Sequence, residues 1–418
     1  MTHDALQLQG SGPAARQAAR LLPARRVFGA DAQRFAIRVH DDVTALPAHW
    51  PRSSREYEGR CHVFQTVEFL KVWVETFGRA ARARTYFVEV RDADGALAML
   101  VPFAITRRAG ARALSFVDGG AADYNAPVLF ETPWEWSPRN ANEAWSAIKT
   151  ALPAFDVALF DKMPAEVGGI VNPFHLLATG ENPESCHATD LTKPWAVVEK
   201  GQVFYGKRLR RIASLQETVP VEMLVAEDKA GRDRILAALL EQKQKRFEET
   251  RVPGFDAQPE KREFYERATE AMAESGALHL SALSFGGDIV AAQWSLIHDR
   301  RYYALVGSFD GSVYGRYSPG KVLYLMLIKR LHEAGVETAD LGVGDEAYKK
   351  DHCDVTIALS VMTEAQSLLG RLYLARAEGL KRLRASALWQ KLRPLKWVML
   401  RKLRRETEPV AEGAQDKS

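Results

Sequence analysis

Alternating apolar and polar positions mark the first ordered segment as a strand, FAIRV at residues 35–39. The stretch FQTVEFLKVWVETF then places Phe64, Phe69, Trp73 and Phe77 at spacings of four and five, which predicts one apolar face of a helix with Gly78 as its C-cap. Residues 86–90 read as a strand, Asp94-Gly95 as a hairpin turn and residues 96–105 as the returning strand. A third short strand at 114–117 runs into the irregular stretch DGGAADYNAP. A helix containing Trp145 and Ile148 and a strand at 157–160 complete the unit.

The same order of elements then returns. Helix 235–247 sets Ile235, Leu236, Leu239, Leu240 and Phe247 on one side, and helix 264–275 ends at Gly276. Strand 278–283, the turn Gly286-Gly287-Asp288, strand 289–297 and strand 302–308 follow. Ser318-Pro319-Gly320 leads into the apolar helix 322–331, which stops at Gly335 before a strand at 338–341. Residue identity between the halves is thin, DGALAMLVPF from Asp94 against GDIVAAQWSL from Gly287, but the shared order reads as a structural duplication. The expected fold is α/β (α+β). It comprises a loose arm over 1–34, a first lobe over 35–180, a second over 181–360 and a helical tail over 361–418, each lobe a mixed, mostly antiparallel sheet flanked by helices.

Composition narrows this picture. With 46% hydrophobic and 26% charged residues over 418 positions, the chain has the balance of a water-soluble globular protein of two domains. It has no uninterrupted apolar run of membrane-spanning length and no secretory leader pattern at its start, so a cytoplasmic location is expected. Cys61, Cys186 and Cys353 lie far apart, with no metal-binding spacing, and no metal is expected. Cys353 beside His352 suggests a thiol–imidazole pair, but neighbours on a helix or strand point apart.

The net charge of +4 is concentrated in the tail, where ten basic residues and two acids lie between Glu378 and Glu406. Leu380, Leu383, Leu388, Leu392, Leu395, Trp397 and Leu403 alternate with those bases, and Pro394 divides the run. Two readings stay open: peripheral contact of 378–406 with anionic lipid on the inner face of the membrane, or a helix packed across both lobes. Nucleic acid is not expected, because aromatic platforms are sparse and the body is slightly acidic.

Three stretches carry a resemblance when taken together: the hairpin GGDIVAAQWSL, the YSPG before an apolar helix, and ADLGVGDEAYKKD from Ala339 to Asp351. The region from about Phe64 to Asp351 resembles the CelD-like branch of the GNAT superfamily, which is associated with cellulose and exopolysaccharide production. That resemblance implies an acyl-coenzyme A donor such as acetyl-CoA, an amine acceptor on a sugar or cell-envelope precursor, and two GNAT-like lobes paired as in the FemABX aminoacyltransferases. The alternatives are an aminoacyl-tRNA donor, as FemABX proteins use, and a non-catalytic accessory role in polysaccharide synthesis.

On this reading the first lobe is a degenerate scaffold that lacks an SPG counterpart and presents Asp123-Tyr124-Asn125 in its equivalent loop. The donor side would comprise Ser308, Arg316, Tyr317, Ser318, Gly320 and Lys321, with a helix N-terminus facing phosphate. Only Arg316, Gly320 and Gly315 stand near the positions of the usual GNAT phosphate loop. Asp345, Glu346 and Tyr348 supply the residue types that move protons in acyl transfer to an amine, with helix capping an equal role for Asp345. Gln242, Lys243 and Arg246 share a helix face, a pattern more commonly just solvated. Together with Asp310 and Lys349, Lys243 and Arg246 form the acceptor set.

Overall fold

The computed structural model describes residues 34–53 and 57–385; the N-terminal arm up to residue 33 and residues 386–406 of the basic run lie outside them. The chain enters at β1 (Phe35–His40). The helix predicted from Phe64 forms as α1 (Val67–Trp73), continued by a π-helical turn (Val74–Gly78). The hairpin β2 (Arg84–Asp92) and β3 (Leu97–Arg108) turns where expected, with Gly95 at φ +82°. Next come β4 (Ala111–Phe116), β5 (Val128–Leu129), α2 (Pro138–Ala151), β6 (Val157–Pro164), a small hairpin β7 (Glu166–Val167) and β8 (Ile170–Val171), and β9 (Gly180–Glu181).

The second half runs β10 (Cys186–Asp190), α3 (Trp195–Gly201), α4 (Tyr205–Gln216), β11 (Val221–Val225), α5 (Lys229–Thr250) and α6 (Pro259–Glu274). It continues with β12 (Leu278–Phe285), β13 (Asp288–His298), β14 (Arg301–Phe309), α7 (Pro319–Glu333), β15 (Thr338–Val343), α8 (Ala347–Lys350), β16 (Val355–Ile357), β17 (Leu359–Ala365) and α9 (Leu368–Ala385).

Two mixed sheets result, ordered β1-β2-β3-β4-β6-β17-β9 and β11-β12-β13-β14-β15-β10-β16, with β5 beside β3. The segment drawn from the sequence as the start of a helical tail is therefore a strand. β17 returns to the first sheet, antiparallel to β6, and α9 begins only at Leu368. Short strands of five and seven residues, far in sequence from their partners, leave no periodic signal long enough to read. α9 is seated on the first lobe through Asp156, which accepts from Ser367 Oγ at 2.8 Å.

One core crosses the lobe boundary. Phe69 and Phe77 from the first lobe meet Phe264 of α6 at ring separations of 5.5 and 5.2 Å, and Phe64 meets Tyr303 of β14 at 5.4 Å. Helices α5 and α6 cover one face of the second sheet and α4 and α7 the other, because their buried residues fall into separate clusters on opposite faces. A third aromatic cluster, Phe103, Phe116, Phe160 and Phe174 around Trp145 of α2, fills the outer face of the first lobe.

Gly78 does not cap the helix, which continues into Arg79 without a positive φ. Its lack of a side chain serves packing, since a Cβ there would lie 2.9 Å from the Trp73 ring. Gly78→Ala is expected to destabilise the protein by about 1–3 kcal/mol in urea titrations through overpacking. A Trp73→Phe background should recover most of that loss; no recovery would show that the ring is not the obstacle.

Candidate active site

Strand β14 is paired along its whole length with β13 but pairs with β15 only at Arg301, Tyr302 and Tyr303. The reason is a bulge: Val306 stands opposite Trp294 and Ala304 opposite Ser295, leaving Leu305 as the extra residue. An inserted residue bends its strand and increases the local twist. Beyond it β14 diverges from β15, and the edge of residues 304–309 faces a cleft of about 640 Å³. At one end lies the first turn of α7, whose early N–H groups have no partner within the helix. That turn holds Gly320 and Lys321, with no acidic residue.

Leading into α7 is Ser318, a non-glycine residue at φ +55° before a proline, the kind of strained backbone that surrounding structure must hold in place. Ser318, Gly320, Lys321 and Ser308 all line the cleft. Arg316 and Tyr317 do not. Their side chains turn to α4, where the guanidinium groups of Arg211 and Arg316 each sit 5.0 Å from the Tyr317 ring centroid and Tyr317 packs on Phe285. These two residues anchor the loop that the sequence assigned to donor contact.

The other end of the cleft departs from expectation at several residues. Asp345 points away and meets His187 Nε2 at 2.8 Å, a contact that holds its carboxyl below the ordinary range. It does not cap α8 either, since the N-cap position is Glu346. Lys349 is almost fully buried, and its ammonium is consumed by the Gly342 and Val343 carbonyls at 3.0 and 2.8 Å and by Glu346 at 3.0 Å. It therefore braces the end of β15 and is not free to bind an acceptor. Arg246 and Asp310 lie on a separate shallow groove, paired with Glu249 and Lys245.

Glu346, Tyr348 and Lys243 line the cleft, as does Lys349 with its ammonium already engaged. Burial, with help from Glu346, pushes the Tyr348 hydroxyl up to about 12, so it keeps its proton at neutral pH. Burial, with Arg246 nearby, draws the Lys243 ammonium down. Lys243 Nζ donates to the Gly307 carbonyl at 3.4 Å.

Sequence reasoning missed Asp123 as a chemical group. It belongs to the first lobe, yet its side chain enters the second lobe's cleft and accepts from Val343 N–H at 3.4 Å. Glycine at 342, with φ +71°, permits this approach, because a Cβ there would lie 2.5 Å from Asp123 Oδ2. Burial, reinforced by the Asp340 carboxylate, raises Asp123 from 3.8 to about 7, against the opposing pull of Lys162. The only signal in the sequence was its place in the loop after the third strand, matching the second lobe's donor loop.

The first lobe opens in a similar way. β4 and β6 stay paired for only two residues, Ala113 and Leu114 against Val157 and Ala158, and Ser115, Phe116, Leu159 and Asp161 beyond them line a second cavity of about 860 Å³. Beside it the Asn125 backbone N–H bonds the Lys162 carbonyl at 3.0 Å and its carboxamide bridges Asp118 and Asp161 at 3.1 and 2.9 Å, tying the loop after β4 to β6.

Residues 206–350, most of the second lobe, match the acetyltransferase (GNAT) domain family. No curated protein sequence matches the chain. Among solved structures it is similar to FemX at 11% identity and a TM-score of 0.52, over 76% of this chain and 94% of that one. It is also similar to L-PGS from Bacillus licheniformis (15%, 77% and 98%, TM-score 0.45) and to a tandem GNAT protein from the clavulanic acid biosynthesis pathway (10%, 68% and 84%, TM-score 0.39). At these identities the likeness to FemX is one of fold. Among the described residues no cluster of metal-ligating side chains occurs, and no helix is long and apolar enough to cross a membrane.

Because Asp123 has a folded pKa above its unfolded value, the folded state holds its proton more tightly. Its ionisation therefore costs stability progressively between pH 4 and 7 and fully above that. Asp123→Asn should match the wild type in Tm near pH 4 and exceed it by several degrees at pH 8. An equal Tm at both values would show that the carboxylate is not strained by its surroundings.

Proposed function

We propose that the protein is an acyl-coenzyme A-dependent N-acyltransferase of the CelD-like kind, acting on an amine of a sugar or cell-envelope precursor. The divergence of β14 from β15 carries this reading. It leaves backbone amides on residues 304–309 for an extended donor to pair with, and the first turn of α7 offers its N–H groups to phosphate oxygens, joined by Lys321 once it exchanges its ion pair with Asp351 at 3.2 Å. A donor thioester would supply the activated acyl group.

The chain's own residues then manage protons. An amine attacks only after losing one, and a base is most effective when its pKa lies near the working pH, as that of Asp123 does. Asp123 takes the proton of the attacking nitrogen as the N–C bond forms. Tyr348, still protonated at neutral pH, gives its proton to the departing sulfur. Glu346 and Lys243 set the charge of the cleft between them. Asp345, turned toward His187, takes no part.

Calorimetry with acetyl-CoA and free coenzyme A tests the donor. Binding by the wild type is expected, weakened about tenfold or more by Gly320→Val, which obstructs the α7 turn. Asp123→Asn should keep donor affinity and lose about 10²- to 10⁴-fold in kcat, the usual reach of general-base catalysis. Wild-type kcat/KM should rise with an apparent pKa near 7. Full turnover by Asp123→Asn would sink the assignment. No affinity for any acyl-CoA would turn attention to an aminoacyl-tRNA donor.

A further inference from the structure

Beside the cleft, the turn between α3 and α4 has features that neither donor binding nor proton transfer uses. Its root is fixed. Gln202 is buried and clasps His352, with Nε2 donating to the backbone carbonyl at 3.1 Å and Oε1 meeting the ring Nδ1 at 3.0 Å. Val203 N–H donates to the Asp351 carbonyl at 3.0 Å. His352 lines the cleft, so the turn grows directly from the cleft wall.

Its tip has the opposite character. Phe204 is 61% exposed, with Val203 and, on α3, Val197 exposed beside it. Phe204 also sits at φ +61°, ψ 23°, a left-handed conformation unfavourable for a bulky side chain. Strain and an exposed aromatic ring are combined in one residue.

Around this tip lies positive charge without counter-charge. Ile212 and Leu215 bury one face of α4, which turns Lys207, Arg210 and Arg211 outward. None of the three is ion-paired with an acid among the described residues. Lys207 Nζ and the Arg208 guanidinium stand 5.7 and 5.4 Å from the Phe204 ring centroid. Spacings of three and four bring Phe204, Lys207 and Arg211 onto one stripe. An exposed apolar tip surrounded by unpaired cations matches an anionic lipid interface, where the ring enters the headgroup boundary and the cations face lipid phosphates.

We propose that the Val203–Phe204 turn and the basic stripe of α4 dock this protein on an anionic membrane surface. The cleft wall from which the turn rises is thereby held next to the lipid, and the acceptor amine is carried on a lipid or a lipid-linked precursor. That last element rests on the transferase reading above; the docking itself does not.

The test is co-sedimentation of the full chain with phosphatidylglycerol–phosphatidylcholine vesicles, compared with phosphatidylcholine alone. The wild type should bind the anionic vesicles and lose them as salt rises. Phe204→Gly should weaken vesicle binding about tenfold while raising Tm, since glycine adopts the left-handed conformation freely, which excludes misfolding as the cause. Lys207→Glu with Arg210→Glu should weaken binding at least as much, with coenzyme A affinity unchanged.

Absence of vesicle binding, or binding that both variants retain, overturns the proposal; retained binding places lipid contact elsewhere, as in the basic segment past Ala385. Binding of RNA in place of vesicles, lost in the double variant, also overturns it. Vesicle binding through Phe204 without any acyl-coenzyme A affinity would leave docking standing and remove the acyl-coenzyme A reading alone.

Discussion

The Asp340 carboxylate is fully buried where the two lobes meet, and the cleft depends on how it is satisfied. Oδ2 accepts from the Tyr124 hydroxyl at 2.7 Å and from Arg301 at 2.8 Å, and Oδ1 from Gly342 N–H at 2.8 Å. A buried charge deprived of its partner is strongly destabilising, so these three bonds hold as a set. They bind the start of β14, the middle of β15 and a loop of the first lobe to one point. β14 stays with β15 through Tyr303, within reach of this clamp, and opens once the Leu305 bulge carries it past. Tyr124, stacked on His62 at 4.2 Å, also fixes the residue before it, so the clamp that sets where the cleft begins sets where Asp123 points.

This arrangement lets the first lobe contribute a side chain to the second lobe's cleft. Asn125 ties the loop after β4 to β6, Tyr124 secures the seam and Asp123 reaches across it, three successive residues with three separate tasks. A neighbouring carboxylate and a dry setting raise the Asp123 pKa, and both come from the second lobe or from the seam. A loop of one lobe thus furnishes a group to the cleft of the other.

Much of the framework was legible in the sequence because glycine and apolar spacing declare it. The hairpins at Gly95 and at Gly286-Gly287, the stops at Gly276 and Gly335 and the apolar α7 appear where the pattern puts them. Strands β10 and β17 escaped because each is short and far in sequence from its partners, and β17 completes a sheet built mainly by the first half of the chain. Gly78 misled because a glycine after an apolar helix face reads as a cap, whereas here it makes room for an indole. In the site, Glu346, Tyr348, Ser318, Gly320 and Lys321 reach the cleft. Asp345 and Lys349 were indistinguishable from them by residue type, and only their partners, His187 and two backbone carbonyls, assign them to bracing. Asp123 was unreadable as chemistry because its role arises from a contact spanning 220 positions of chain.

The returning strand has a mechanical consequence. β17 follows the second lobe and crosses back to pair with β6 and β9 of the first sheet. With this crossing and a shared aromatic core, the halves cannot swing apart about a hinge without breaking sheet hydrogen bonds. Domain closure of the kind that many two-lobed enzymes use to admit substrate and expel product is therefore denied to this one. Entry and exit must be gated by smaller parts, above all the loop between β14 and α7 and the side chains of Tyr348 and Lys243 at the rim, while the reacting geometry stays rigid through turnover.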